Sequence, residues 1–120
     1  MNKNLRIDHR FSVSLYVERQ DLVDSPILIQ NLSENGFLVR GPILASPGST
    51  FRATFRVHPK AGEMRVTVLG KVMHCRVESS DCDLGIKIME FASLAEQKAY
   101  ITYVNELKAG VRRTETEHSS

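Results

Sequence analysis

Two arginines four residues apart, Arg6 and Arg10, form an RxxxR arrangement, and one strand-like segment later Asn31-Leu32-Ser33-Glu34-Asn35-Gly36 reads NxSxxG. Two guanidinium groups offer about ten planar N–H donors, a geometry that suits phosphate oxygens and the O6/N7 edge of guanine. The Asn31 amide and the Ser33 hydroxyl add groups able to hydrogen-bond a base or a ribose. Along an extended chain, alternation carries both side chains to one side. Gly36 permits a positive-φ turn and a close backbone approach to a ligand, and is expected to be structural in any case. Together the residues describe a phosphate-and-purine clamp that binds and does no chemistry.

Each of these residues also has a plainer reading. The arginines alone make a solvated basic arm, and Asn and Ser are ordinary turn residues through their own side-chain to backbone hydrogen bonds. Specificity comes from the pair. On composition alone, both motifs in this order arise in about one chain of this length in a hundred.

That ordered pair resembles the PilZ domain family, bacterial receptors for cyclic di-GMP. The resemblance continues through Gly70-Lys71-Val72 and Leu84-Gly85-Ile86-Lys87-Ile88 into a C-terminal helix. It implies a ligand held on the outer face of a barrel, with the arm carrying Arg6 and Arg10 wrapped over it and Asn31, Ser33 and Gly36 beneath. It also implies that residues 1–10 become ordered on binding. The output it implies is control of motility, exopolysaccharide or biofilm through a downstream partner protein. His74 falls where many relatives carry a large side chain near the ligand, which makes it a secondary contact; a half-exposed strand histidine is its plain reading. Leu5 stands where some relatives have a third arginine that helps hold a stacked ligand dimer.

The elements that must position these residues follow from periodicity. Phe11, Val13, Leu15 and Val17 alternate with polar or exposed-type residues, the pattern of a strand with one buried face. Residues 27–32, 36–40 and 51–57 read as three more strands, the last with Arg52 and Arg56 facing water. Residues 64–77 are apolar at Met64, Val66 and Val68 and shift phase towards Val72, Cys75 and Val77, so a bulge or sharp bend is expected at Gly70. A turn at Glu78-Ser79-Ser80-Asp81 leads into a sixth strand, 83–90. Six short strands without intervening helices predict a mainly β fold, an antiparallel barrel or sandwich rather than a parallel sheet, and the PilZ resemblance implies the first of these, a six-stranded antiparallel β-barrel with a C-terminal α-helix.

Ser93-Leu94-Ala95-Glu96 reads as a capping box that satisfies two backbone donors reciprocally and starts that helix. Tyr100, Ile101, Val104 and Leu107 form its apolar stripe, expected over one opening of the barrel, with an end near Lys108 and Gly110 as the stop. The expected organisation is a flexible arm 1–10, a barrel 11–92, a helix 93–108 of the same domain and a polar, disordered tail 109–120. The Arg112-Arg113 pair in that tail reads as solvated charge.

At 120 residues, 42% hydrophobic and 7% aromatic, the chain supports one modest core. A net charge of +2 gives no general electrostatic case for binding a nucleic-acid polymer or a membrane. No apolar run is long enough for membrane insertion, and the charged start lacks the apolar stretch of a signal peptide, so a cytoplasmic protein is expected. Cys75 and Cys82 are too few for a disulfide framework and match no common zinc spacing. They flank the expected hairpin turn, where they either bridge under oxidation or stay reduced as small semi-apolar side chains.

Three functional classes follow. The first is a stand-alone cyclic di-GMP receptor acting on another protein in trans. The second is a nucleotide-independent PilZ-like adaptor. The third is a small barrel for single-stranded nucleic acid, which would want exposed aromatics and a broad basic groove. With no Trp and most Phe at core parity, its support is thin. An enzyme is not expected, because His9, His58, His74 and His118 are scattered and no nucleophile or phosphate-loop signature is present. No cofactor and no metal is expected either.

Overall fold

The computed structural model describes residues 10–21 and 26–119, with side chains described as far as Gly110. Six strands, β1 (Phe11–Gln20), β2 (Leu28–Leu32), β3 (Gly36–Gly41), β4 (Thr50–Val57), β5 (Met64–Glu78) and β6 (Asp81–Phe91), precede one helix, α1 (Leu94–Ser119). All neighbours are antiparallel, in the order β1-β2-β3-β6-β5-β4, and β4 pairs back to β1 to close a barrel. The expected fold class is borne out.

Alternation dictates what fills the barrel. Leu15 and Val17 of β1, Phe37 and Val39 of β3, Phe51, Ala53 and Phe55 of β4, and Leu84 and Ile86 of β6 point inward and are buried. Each large apolar side chain withdrawn in this way contributes about 1.5–3 kcal/mol of transfer free energy. Arg52 and Arg56 point outward, as expected.

Bulges set the phase of the outer face. In β2, Ile29 pairs with Val39 and Asn31 with Leu38, so Gln30 is the extra residue. Without it, strict alternation from buried Ile29 would turn Asn31 inward and Leu32 outward. With it, Leu32 is buried and Asn31 is half-exposed. The β5–β6 pair has register shifts at Leu69/Gly70 and at Val72/His74. The shift expected at Gly70 is present, but the extra residue there is Met89 of β6, and β5 keeps its inward phase through Val66, Val68, Gly70 and Val72. Its own phase changes at Met73, the residue the second bulge adds.

Helix α1 plugs one end of the barrel. Tyr100 and Val104 are fully buried, and the Tyr100 ring meets Phe55 and Phe91 at centroid distances of 6.1 and 5.5 Å. Its start departs from the expected reciprocal box. The Glu96 amide donates to Ser93 Oγ at 3.2 Å, and Ser93 Oγ donates to Glu96 Oε2 at 2.9 Å. The other Glu96 oxygen accepts the Thr67 amide of β5 at 2.6 Å, so the carboxylate anchors the helix to the barrel instead of capping Ser93. At the far end, α1 runs to Ser119, past the end expected at Lys108. Gly110 does not adopt positive φ and stays helical, because a glycine within a helix costs only about 1 kcal/mol. No described helix is long and apolar enough to cross a membrane.

Candidate ligand face

Pairing of β1 with β2 brings Arg10 of the first motif to Asn31 of the second. Arg10 enters β1, whose Ser12 is the cross-strand partner of Asn31. The Arg10 Nη1 donates to Asn31 Oδ1 at 3.0 Å on the exposed side. Arg6 lies outside the described residues.

From Asn31 a cross-strand row runs over the outer wall: Asn31 pairs with Leu38, Leu38 with Gly85, and Gly85 with His74. At strand spacing this carries the row about 14 Å across the barrel. His74 is exposed, and its imidazole lies over Gly85, where an added Cβ would strike the ring. The absence of a side chain at Gly85 thus leaves a bed for the ring. The histidine sits on the same wall as Asn31, three strands away.

Ser33 is placed differently from expectation. It is fully buried, and its side chain does not share the outward direction of Asn31. Strand β2 ends at Leu32, so alternation ends there. The Ser33 amide and hydroxyl both donate to the Gly36 carbonyl, at 2.9 and 3.3 Å, closing the turn on itself. Gly36 also departs from expectation, since its φ is not positive. What demands glycine is close approach to β6, because a Cβ there would collide with the Ile86 carbonyl oxygen. The Asn35 carbonyl accepts the Ile88 amide at 2.8 Å, which further fixes the turn against β6.

The charges on this wall divide into paired and unpaired. Arg40 makes a bidentate contact with Asp83, Nε to Oδ1 at 2.6 Å and Nη2 to Oδ2 at 2.9 Å, and reaches Glu78 at 2.8 Å. The Arg40 guanidinium therefore holds the Asp83 carboxyl below the ordinary carboxylate range, although Asp83 is nearly buried. By contrast, Gly36 pairs with Lys87 and Lys87 with Lys71, two like charges in opposed positions. Among the described residues neither lysine has an ion-pair partner. Opposed like charges oppose pairing and attract an anion. On the wall formed by β1, β4 and β5, Glu18 bridges Arg56 and Arg65 at 2.5 and 3.1 Å and Arg56 reaches Glu63 at 2.7 Å, while Arg19 and Arg52 are exposed.

Four participants were not legible as such in the sequence. Gln30 is an unremarkable strand residue until the β3 register is known. Arg40 and Asp83 lie 43 positions apart. Tyr100 was legible as part of the helical stripe, but not as a partner of the turn: its hydroxyl donates to the Ser33 carbonyl at 2.6 Å, with Gly36 O at 3.2 Å. Cys75 and Cys82 are free thiols on diagonal positions of the β5–β6 pair, Cys75 facing Leu84 and Cys82 facing Val77.

No protein-family model matches the sequence, and no curated protein sequence matches it. Among solved structures the chain is similar to the inhibitor of motility from Bacillus subtilis (MotI/DgrA), with a TM-score of 0.71 at 16% identity over 94% of this chain. The chain spans 53% of that protein. At this identity the likeness is one of fold.

Proposed function

We propose that this chain is a PilZ-type receptor that binds cyclic di-GMP on the outer wall of β2, β3 and β6 and relays occupancy to a partner protein. The observation that carries this reading is the Arg10 to Asn31 hydrogen bond, which joins residues 21 positions apart, one from each motif, on one exposed surface. A guanidinium anchored through a single nitrogen keeps further N–H donors for phosphate oxygens or a guanine edge. Lys71 and Lys87 add positive potential beside the turn, Asn31 offers a neutral polar group, and His74 supplies a ring at the far end of the row. In this reading Ser33 and Gly36 act by shaping the turn, and the chain is a binding module without catalysis.

The fold supports the same direction. Likeness to an inhibitor of motility makes control of motility the first output to examine, alongside exopolysaccharide and biofilm regulation.

Burial of Ser33 favours one second reading, a nucleotide-independent adaptor in which the turn is purely structural. Isothermal titration separates the two. Saturable binding of cyclic di-GMP, absent with GMP and lost in an Arg10→Ala variant of unchanged circular dichroism, is the expected result. No binding at high micromolar ligand, confirmed by a second probe, overturns the receptor reading and favours the adaptor.

A further inference from the structure

We propose that Tyr100 of α1 is a positioning residue for the candidate ligand turn, and that through it ligand occupancy and the docking of α1 on the barrel are coupled. The functional half of this statement rests on the receptor reading above; the structural half does not.

Tyr100 is fully buried, and its ring is fixed edge-on to Phe55 with an interplanar angle of 74° and tilted at 51° to Phe91. A ring held on two sides delivers its hydroxyl to one place. The hydroxyl carries one proton, and the 2.6 Å distance assigns it to the Ser33 carbonyl. The neighbouring acceptor, Gly36 O, already receives the Ser33 amide and hydroxyl. Tyr100 thus reaches both ends of the four-residue turn, Ser33 to Gly36, that begins two residues after Asn31.

A second tie lies on the same face of the helix. Tyr100, Val104 and Lys108 are spaced four apart and share one stripe. Lys108 Nζ sits 3.5 Å from Glu34 Oε2 at the turn's exposed tip. Open space also lies between the turn and the helix. A cavity of about 450 Å³ separates them, lined by Glu34, Asn35, Ile88, Phe91, Gln97 and Ile101. Tyr100 and Lys108 are two contacts that bridge turn and helix beside that space.

A turn that must be held in its binding-competent shape loses apparent affinity in proportion to the fraction of time it is not so held. Linkage makes the effect reciprocal: a ligand that requires the turn's shape favours docked α1, and a partner that lifts α1 weakens ligand binding by the same factor. Helix α1 then becomes the element through which a partner reads the site.

The test compares wild type, Tyr100→Phe and Tyr103→Phe in the full chain. Tyr100→Phe keeps the ring and removes only the hydroxyl, whereas Tyr103 lies on α1 beside His58, at a centroid distance of 6.3 Å. Two quantities are read: the amide exchange of residues 33–36 without ligand, and cyclic di-GMP affinity by titration. The expected results are faster exchange at 33–36 in Tyr100→Phe only, an affinity about fivefold weaker in that variant, and slower exchange across residues 97–108 when wild type is saturated. Wild-type affinity in a folded Tyr100→Phe variant would overturn the coupling. If wild type binds no cyclic di-GMP, the receptor reading fails by itself. In that case the exchange data still decide the positioning role: unchanged exchange at 33–36 overturns it, and faster exchange upholds it.

Discussion

The Arg10 guanidinium donates to the Asn31 side-chain oxygen at 3.0 Å, although the two residues belong to different strands and stand 21 positions apart. The contact exists because the Gln30 bulge turns Asn31 outward just where β1 begins to pair with β2. It fixes one nitrogen of a flexible arginine at the edge of a surface that also carries Lys87 and Lys71, and so reduces the side-chain ordering that ligand capture must impose.

Asn31→Ala is expected to leave stability within about 0.5 kcal/mol of wild type, as for other surface substitutions. Under the proposed function it weakens cyclic di-GMP binding about tenfold, through the lost contact and the released Arg10. Thermal denaturation and titration on the same samples check this; a folded variant that binds like wild type would remove Asn31 from the site.

Gly36→Ala and Gly85→Ala separate two kinds of close approach. At Gly36 the obstacle is the backbone of Ile86, which cannot step aside, so a loss of about 1–3 kcal/mol is expected. At Gly85 the obstacle is the His74 ring, which can swing outward at a cost of about 1 kcal/mol. Urea unfolding gives both numbers, and equal losses would contradict the distinction.

The Asp83 carboxyl titrates low because it accepts hydrogen bonds from Arg40. A group whose folded-state pKa is depressed contributes stability that is complete above its unfolded value, about 3.9, and disappears as pH falls through the lowered folded value. The stability advantage of wild type over Asp83→Asn should therefore be constant near neutrality and shrink below about pH 4. Urea midpoints over that range provide the check, and parallel profiles for the two proteins would count against the pairing.

Burial, reinforced by the neighbouring Cys75 thiol, pushes the Cys82 thiol up. Less thiolate means slower alkylation. Iodoacetamide labelling followed by mass spectrometry should find Cys82 protected in the folded protein and reactive in urea. Labelling at the rate of a free thiol without denaturant would show that the β5–β6 end opens readily.

The strands and the start of the helix were legible in the chain alone, because they depend on local periodicity and local capping, whereas periodicity left barrel and sandwich open. Phe11, Val13, Leu15 and Val17 mark a half-buried strand whatever pairs with it, and Ser93 with Glu96 marks a helix start before any partner is known. Both halves of the candidate site were visible as motifs for the same reason. Only the tertiary structure decided which side chains of those motifs face outward. A bulge is a property of two strands in register, so neither Gln30 nor Met73 could be assigned from its own strand. Close approach is a property of two backbones, so Gly36 owes its identity to Ile86, 50 residues away, and not to a turn angle. Ser33 and Tyr100 met for the same physical reason: closing the barrel leaves an open end, the apolar stripe of α1 buries itself there, and the one hydroxyl on that buried stripe must find an acceptor. It finds one in Ser33, at the start of the turn that follows Asn31 and Leu32.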